Sequence, residues 1–170
     1  SNPDLGVIKM EVTRNMGPKE GYLEGIRKLC DENNIVLIFD ECTSGFRETY
    51  GGIHLKYGVE PDICMFGKAL GNGYAITAVL GKRAIMEAAQ KTFISSTFWT
   101  ERIGPAAAVA TLEEMNRIKS WEIITAQGKK IQEGWKKLAL ENDLDLKCAG
   151  IPALSTYSIE SENWLKYKTF

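Results

Sequence analysis

Apolar positions along this chain recur in two rhythms, and the alternation between them predicts its architecture. Residues 6–12, which contain Val7-Ile8-Lys9-Met10-Glu11-Val12, read as a strand. Gly17-Pro18 then opens a helix, with Pro18 near its first position and Tyr22, Leu23, Ile26, Leu29 and Cys30 on one face; it ends around Asn33-Asn34. The run Ile35-Val36-Leu37-Ile38-Phe39 is continuous and of strand length, as in strands buried on both faces of a parallel sheet, and it finishes in Asp40-Glu41. Residues 41–61 form a long Gly-rich connection that Pro61-Asp62 stops. A short buried strand at 63–66, the glycine-studded turn 67–73 and a strand at 76–80 follow.

Helices are expected over 82–90, 104–118 and 121–141, the last with Ile123, Ile124, Ile131, Trp135 and Leu138 as its apolar positions. Strands at 144–148 and 153–159 come next, and Ser161 is placed to cap a final helix. Strands alternating with helices up to residue 118 argue an α/β fold with a mostly parallel sheet. The texture then changes, so 1–118 is expected as part of one domain and 119–170 as the start of a smaller α+β domain. The chain enters an apolar strand almost at once and closes on an amphipathic stretch without a capping signal. A fragment of a longer protein is therefore expected.

Composition narrows the classes. With 44% hydrophobic and 25% charged residues the chain has the balance of a soluble globular protein, and a net charge of −1 gives it no overall pull toward nucleic acid or an anionic membrane. Cys30, Cys42, Cys64 and Cys148 show neither paired nor metal-ligand spacing and have mostly apolar neighbours, which suits reduced core thiols in a cytoplasmic protein. His54, the single histidine, has no cysteine near it in sequence; it reads as a surface or loop residue rather than a metal ligand.

Two residues carry the chemistry. Asp40 ends a buried strand, and open α/β sheets bind ligands outside the carboxyl ends of their strands. A carboxylate there is costly to desolvate without a cationic partner, though it can also cap the following loop. Lys68 ends the next apolar strand between Gly67 and the pair Gly71 and Gly73, which let backbone approach a bulky ligand. An amine so placed can condense with an aldehyde cofactor; alone, it would read as an exposed turn lysine. Together the pair matches the needs of pyridoxal phosphate, which takes a lysine at its aldehyde and an acid at its pyridine nitrogen.

The segment Leu37-Ile38-Phe39-Asp40-Glu41-Cys42-Thr43-Ser44-Gly45-Phe46-Arg47, with Pro61-Asp62-Ile63 and Gly67-Lys68-Ala69-Leu70-Gly71-Asn72-Gly73-Tyr74, resembles the class III aminotransferases, in particular their glutamate-1-semialdehyde aminomutase branch. The resemblance runs from about residue 6 to 118 and continues more faintly beyond. It implies part of the large domain of a fold-type I pyridoxal-phosphate enzyme, a homodimer, and amino transfer between a small amino donor and a carbonyl acceptor. Asp40 would pair with the ring nitrogen, Cys42 would pack on the ring where the family has an apolar residue, and Lys68 would bond to the cofactor and move the proton. Counting back five from Pro105 places Thr100 at the family's phosphate-binding threonine, reached across the dimer interface, with Thr97 as competitor.

Glu41 and Arg47 belong to the motif but are read as a salt bridge or loop anchor. Tyr74, Phe93, Phe98 and Trp99 are read as packing rather than substrate recognition. Asn72 and Ala75 replace the glycine and proline of many relatives. The family's phosphate cradle and stacking aromatic lie upstream of Gly6, so the isolated piece is expected to be inactive. Two other classes compete. Val36–Glu41 also fits the magnesium-binding strand end of a P-loop NTPase, which would need a Gly-x-x-x-x-Gly-Lys-Ser/Thr loop upstream and gives no reason for Lys68. A non-catalytic scaffold would give no reason to keep both Asp40 and Lys68.

Overall fold

The computed structural model describes residues 4–98 and 100–160. Its main sheet has four strands in the order β1 (Val7–Met10), β2 (Val36–Asp40), β3 (Ile63–Phe66) and β4 (Ala78–Gly81). The first three run parallel, with Val7 opposite Val36, Ile38 opposite Ile63 and Asp40 opposite Met65. β4 runs antiparallel to β3, pairing Phe66 with Ala78, so the sheet is mixed at this edge. The connection 67–77 contains only a short 3-10 turn at Lys68–Leu70, and a parallel return needs a dozen or more residues.

Helix α1 (Tyr22–Glu32) starts later than its sequence suggests. Gly21 adopts φ 73 directly before it, so Pro18 lies outside the helix rather than in its first turn. Leu23 and Cys30 on α1 pack with Leu37 and Phe39 of β2, all four with 1% exposure or less, while Tyr22 and Leu29 stay exposed. β2 is sealed on that face, whereas Val36 and Ile38 on the other are half-buried. The expectation of a strand buried on both faces is met on one face among the described residues.

Asp62 locks the amino end of the parallel strands. Its carboxylate accepts from the Leu37 amide (2.8 Å), Arg27 Nη1 (2.9 Å) and Lys82 Nζ (2.7 Å), joining α1, β2 and the residue after β4. Burial pushes this carboxyl up, but these donors outweigh it and hold Asp62 below the usual aspartate range.

Residues 82–91 form the short helix α2 (Arg83–Met86) and a 3-10 turn, less regular than one continuous helix. Helix α3 (Ile103–Ile118) places Ala108, Leu112 and Met115 against the core. Lys119, at φ 51, turns the chain into the 22-residue helix α4 (Ser120–Glu141). Ile123, Ile131 and Leu138 of the expected α4 face remain about half exposed. Instead α4 packs at Gly128, where a Cβ would meet the Pro152 carbonyl at 1.9 Å, so only glycine permits this approach. Strands β5 (Leu146–Ala149) and β6 (Thr156–Ile159) pair antiparallel beside it, with the Trp135 and Tyr157 rings 5.0 Å apart.

The Gly150 amide donates to the Asn15 carbonyl at 2.8 Å, tying this small sheet to the loop after β1. All four cysteines are free, Cys30 and Cys64 buried and Cys42 and Cys148 half-buried. No described helix is long and apolar enough to cross a membrane. The helix capped by Ser161 and the side chain of Trp99 lie outside the described residues.

Candidate active site

The carboxyl ends of β2 and β3 bring the acid and the amine to one edge of the sheet. Asp40 is the last residue of β2, and its neighbour Glu41 donates its amide to the Met65 carbonyl at 2.8 Å. β3 ends at Phe66; Gly67 is extended, and Lys68 follows with φ 43. That left-handed backbone is uncommon for a residue with a side chain. Lys68 is exposed, and its Nζ donates to Thr43 Oγ1 at 2.8 Å, so the loop after β2 holds the amine.

Cys42 stands between the two. Burial, followed by the Asp40 carboxylate, pushes its thiol up, while Lys68 and Lys9 pull it the other way. The thiol therefore stays protonated at neutral pH, suited to packing rather than attack. A Cβ on Gly67 would lie 3.4 Å from Cys42 Sγ, so this glycine is not needed for space against the thiol. Asp40 accepts the Cys42 amide on Oδ1 (3.1 Å) and the Lys9 ammonium on Oδ2 (2.9 Å). The Lys9 contact is the main cause holding Asp40 below the usual aspartate range, and Asp40 is ionised at neutral pH.

Glu41 points the opposite way, into the protein. It is fully buried and accepts from Ser44 Oγ, from the Ile53 and His54 amides (both 3.0 Å) and from His54 Nδ1 (2.9 Å). Burial pushes Glu41 up, but these donors together hold it below the usual glutamate range. Glu41 is thus the loop anchor its motif position suggested. His54 lies in the loop, as expected, but not on the surface: it is 7% exposed and bonded through Nδ1 to this carboxylate. Nothing in its sequence neighbourhood signals that, because the loop folds His54 back across thirteen residues. Gly45 must be glycine, since a Cβ would sit 2.7 Å from the Glu41 carbonyl and 2.8 Å from the Phe66 ring.

This network yields a stability prediction. Glu41→Gln puts an amide NH2 against donors and should cost about 2–4 kcal/mol, read by chemical denaturation. A carboxylate held low in the folded state stabilises above its unfolded pKa and loses that contribution as pH falls through the folded value. The parent should therefore weaken below about pH 4, and Glu41→Gln should show a shallower acid slope. An unchanged slope would mean that Glu41 is not the ionised anchor.

Arg47 donates from Nε to the Thr43 carbonyl at 3.4 Å, and its own carbonyl accepts from Thr125 Oγ1 at 3.4 Å. With Lys68, Phe46, Asn72, Thr111 and Met115 it lines a cavity of about 500 Å³, a size that suits small-molecule sites. Asp40 does not line this cavity; a shallower opening lies on another side of Lys68, against Tyr74 and Thr77. Thr100 is exposed in the turn before α3, while among the described residues the Lys68 amine bonds to Thr43 and Asp40 to the Cys42 amide. The adjacent Glu101 carboxylate caps α3, accepting from the Ile103 and Gly104 amides. Thr97 is exposed as well. Tyr74, Phe93 and Phe98 are 59%, 96% and 75% exposed, so the packing expected of them is not made among the described residues.

The fold and site define an α/β unit with an acid and a lysine at the carboxyl ends of neighbouring parallel strands. The family described as Aminotransferase class-III matches residues 15–148, and this chain belongs to it. It is 39% identical over 154 residues to the 3-aminobutyryl-CoA aminotransferase of Cloacimonas acidaminovorans, covering 90% of this chain and 34% of that protein. It is 42% identical over 126 residues to the glutamate-1-semialdehyde 2,1-aminomutase of Nitrosopumilus maritimus, covering 70% and 30%. The structure of the PLP internal aldimine form of the Sphingopyxis sp. MTA144 FumI protein superimposes with a TM-score of 0.90 at 26% identity, over 95% of this chain and 40% of that one. The chain thus spans about a third of the length of the curated relatives it matches. Family membership sets aside the P-loop reading of Asp40-Glu41, and Glu41 is in any case sealed against His54.

Proposed function

We propose that the full-length protein transfers an amino group between a small amino donor and a carbonyl acceptor, using pyridoxal phosphate. The carrying observation is that Asp40 ends β2 and Lys68 follows β3, two neighbouring parallel strands. The donor set fits the group: an ionised acid for a pyridinium nitrogen, a primary amine for an aldehyde, and a protonated thiol that can pack on a ring. Bound there, the cofactor would supply the electron sink that makes the substrate's alpha proton removable.

The chain's own residues do the rest. Asp40 keeps the ring-nitrogen position negative, and Lys68 both holds the cofactor and carries the proton at its Nζ. Thr43 orients that amine from the loop that Glu41 anchors. Cys42 excludes water from one side of the ring position. Thr100 donates its hydroxyl to the phosphate of the neighbouring subunit in a homodimer, which suits its exposure here. Residues 1–118 belong to the large, cofactor-binding domain and 119–170 open the small domain. The assembly works in the cytoplasm.

The reading is tested by the absorbance of the full-length protein with added pyridoxal phosphate: a visible band that persists through gel filtration is expected, and its absence would overturn the proposal. Thr100→Ala should weaken cofactor binding by about 1.5–3 kcal/mol, the worth of one donor to a charged group. If the donor crosses the interface, dilution to monomers should erase the difference between the two proteins. An unchanged dissociation constant in the dimer would move the role to Thr97 or elsewhere.

A further inference from the structure

Lys9 occupies a position that the proposed chemistry does not use. It lies on β1 opposite Ile38, and its ammonium reaches across to Asp40 Oδ2 at 2.9 Å. The other carboxylate oxygen already accepts the Cys42 amide. Both oxygens of the acid are therefore engaged within the chain. A pyridinium N–H arriving at Asp40 must share Oδ2 with Lys9 or displace it.

We infer that Lys9 is a positioning residue that competes with the cofactor's ring nitrogen for Asp40 and so tunes both cofactor affinity and ring protonation. The inference rests on the reading of Asp40 as the ring-nitrogen partner. Two cations sharing one carboxylate repel each other, and the repulsion falls on the weaker acid–base pair. The ring nitrogen can lose its proton near neutral pH; an ammonium in contact with Asp40 holds its own, and that contact raises Lys9 further above the lysine range. The other charged or titratable groups around the pair are Glu11 at the exit of β1, which favours the Lys9 cation, and Cys42 and Lys68 beyond β2 and β3. Lys9 is thus a built-in brake on the acid. It keeps Asp40 ionised and oriented while the site is empty, and lowers the proton affinity of whatever base docks there.

The side chain of Lys9 is 52% exposed, so the effect is screened and modest. The test uses pyridoxamine 5′-phosphate, which has the ring nitrogen but no aldehyde, so that condensation at Lys68 plays no part. Full-length Lys9→Met should bind it roughly two- to fivefold more tightly than the parent in low salt, and the gain should shrink as salt rises. The ultraviolet band that follows ring protonation should titrate at higher pH in Lys9→Met, and Lys9→Arg should restore parent behaviour in both readouts. Equal or weaker binding by Lys9→Met, or an unmoved titration, would overturn the role of Lys9 while leaving the proposed function intact. Should the parent itself fail to bind either vitamin B6 phosphate, both would fall together.

Discussion

Full-length Lys68→Ala should lose the visible band and retain no cofactor after borohydride reduction and washing. Both results follow from one fact: a methyl group cannot condense with an aldehyde. Turnover should fall by at least about a thousandfold, because the same amine is the proton carrier. Lys68→Arg separates charge from chemistry. It keeps a cation within reach of Thr43 Oγ1, the partner of Lys68 Nζ at 2.8 Å, but a guanidinium stays protonated and does not condense. It should therefore fold like the parent and be as inactive as the alanine variant. A small primary amine added to Lys68→Ala should return part of the proton-transfer rate. Covalent cofactor still present in Lys68→Ala, identified by mass spectrometry after reduction, would place the bond on another lysine.

Asp40 and Lys68 were legible in the sequence because they break a pattern. A carboxylate and an amine are poor endings for apolar runs, and the strands end where their runs do, at Asp40 and Phe66. α3 was legible for a different reason, the length of its run Ile103–Ile118, which has no internal break after Pro105. What the sequence did not disclose is contact made at a distance. His54 becomes a partner of Glu41 only when the loop folds back. Lys9 meets Asp40 only through the lateral pairing of β1 with β2.

A lysine inside the apolar run 7–12 is the one signal that could have drawn attention to Lys9, just as Lys68 stood out at its strand end. The antiparallel β4 is a consequence of connection length, which apolar periodicity does not register. Gly21 moved the start of α1 because positive φ outweighed the usual preference of proline for a first helical turn. The exposed aromatics before α3 show the limit of burial arguments made from residue type alone. Phe93 is 96% exposed among the described residues, although its type suggests burial.

Asp40→Ala should leave full-length protein that still takes up cofactor through Lys68, yet removes the substrate's alpha proton about a thousandfold more slowly, the scale of losing a preorganised charge at a developing-charge site. The folded protein already holds this carboxylate ionised, because the Lys9 ammonium and the Cys42 amide engage its two oxygens. The charge is in place before a ring nitrogen arrives, and Lys9 need only share or yield Oδ2, whereas an alanine presents no charge at all. The ring nitrogen then loses its reason to stay protonated, and negative charge developing at the substrate carbon has nowhere favourable to go. Asp40→Glu keeps the charge but moves it by one methylene, so it should recover part of the rate and shift its pH dependence. Asp40→Asn offers an amide in place of a carboxylate and should resemble alanine. Deuterium exchange at the substrate's alpha carbon reads the step directly, apart from product release. Exchange at the parent rate in Asp40→Ala would make this carboxylate a structural partner of Lys9 and put the ring elsewhere on the sheet edge.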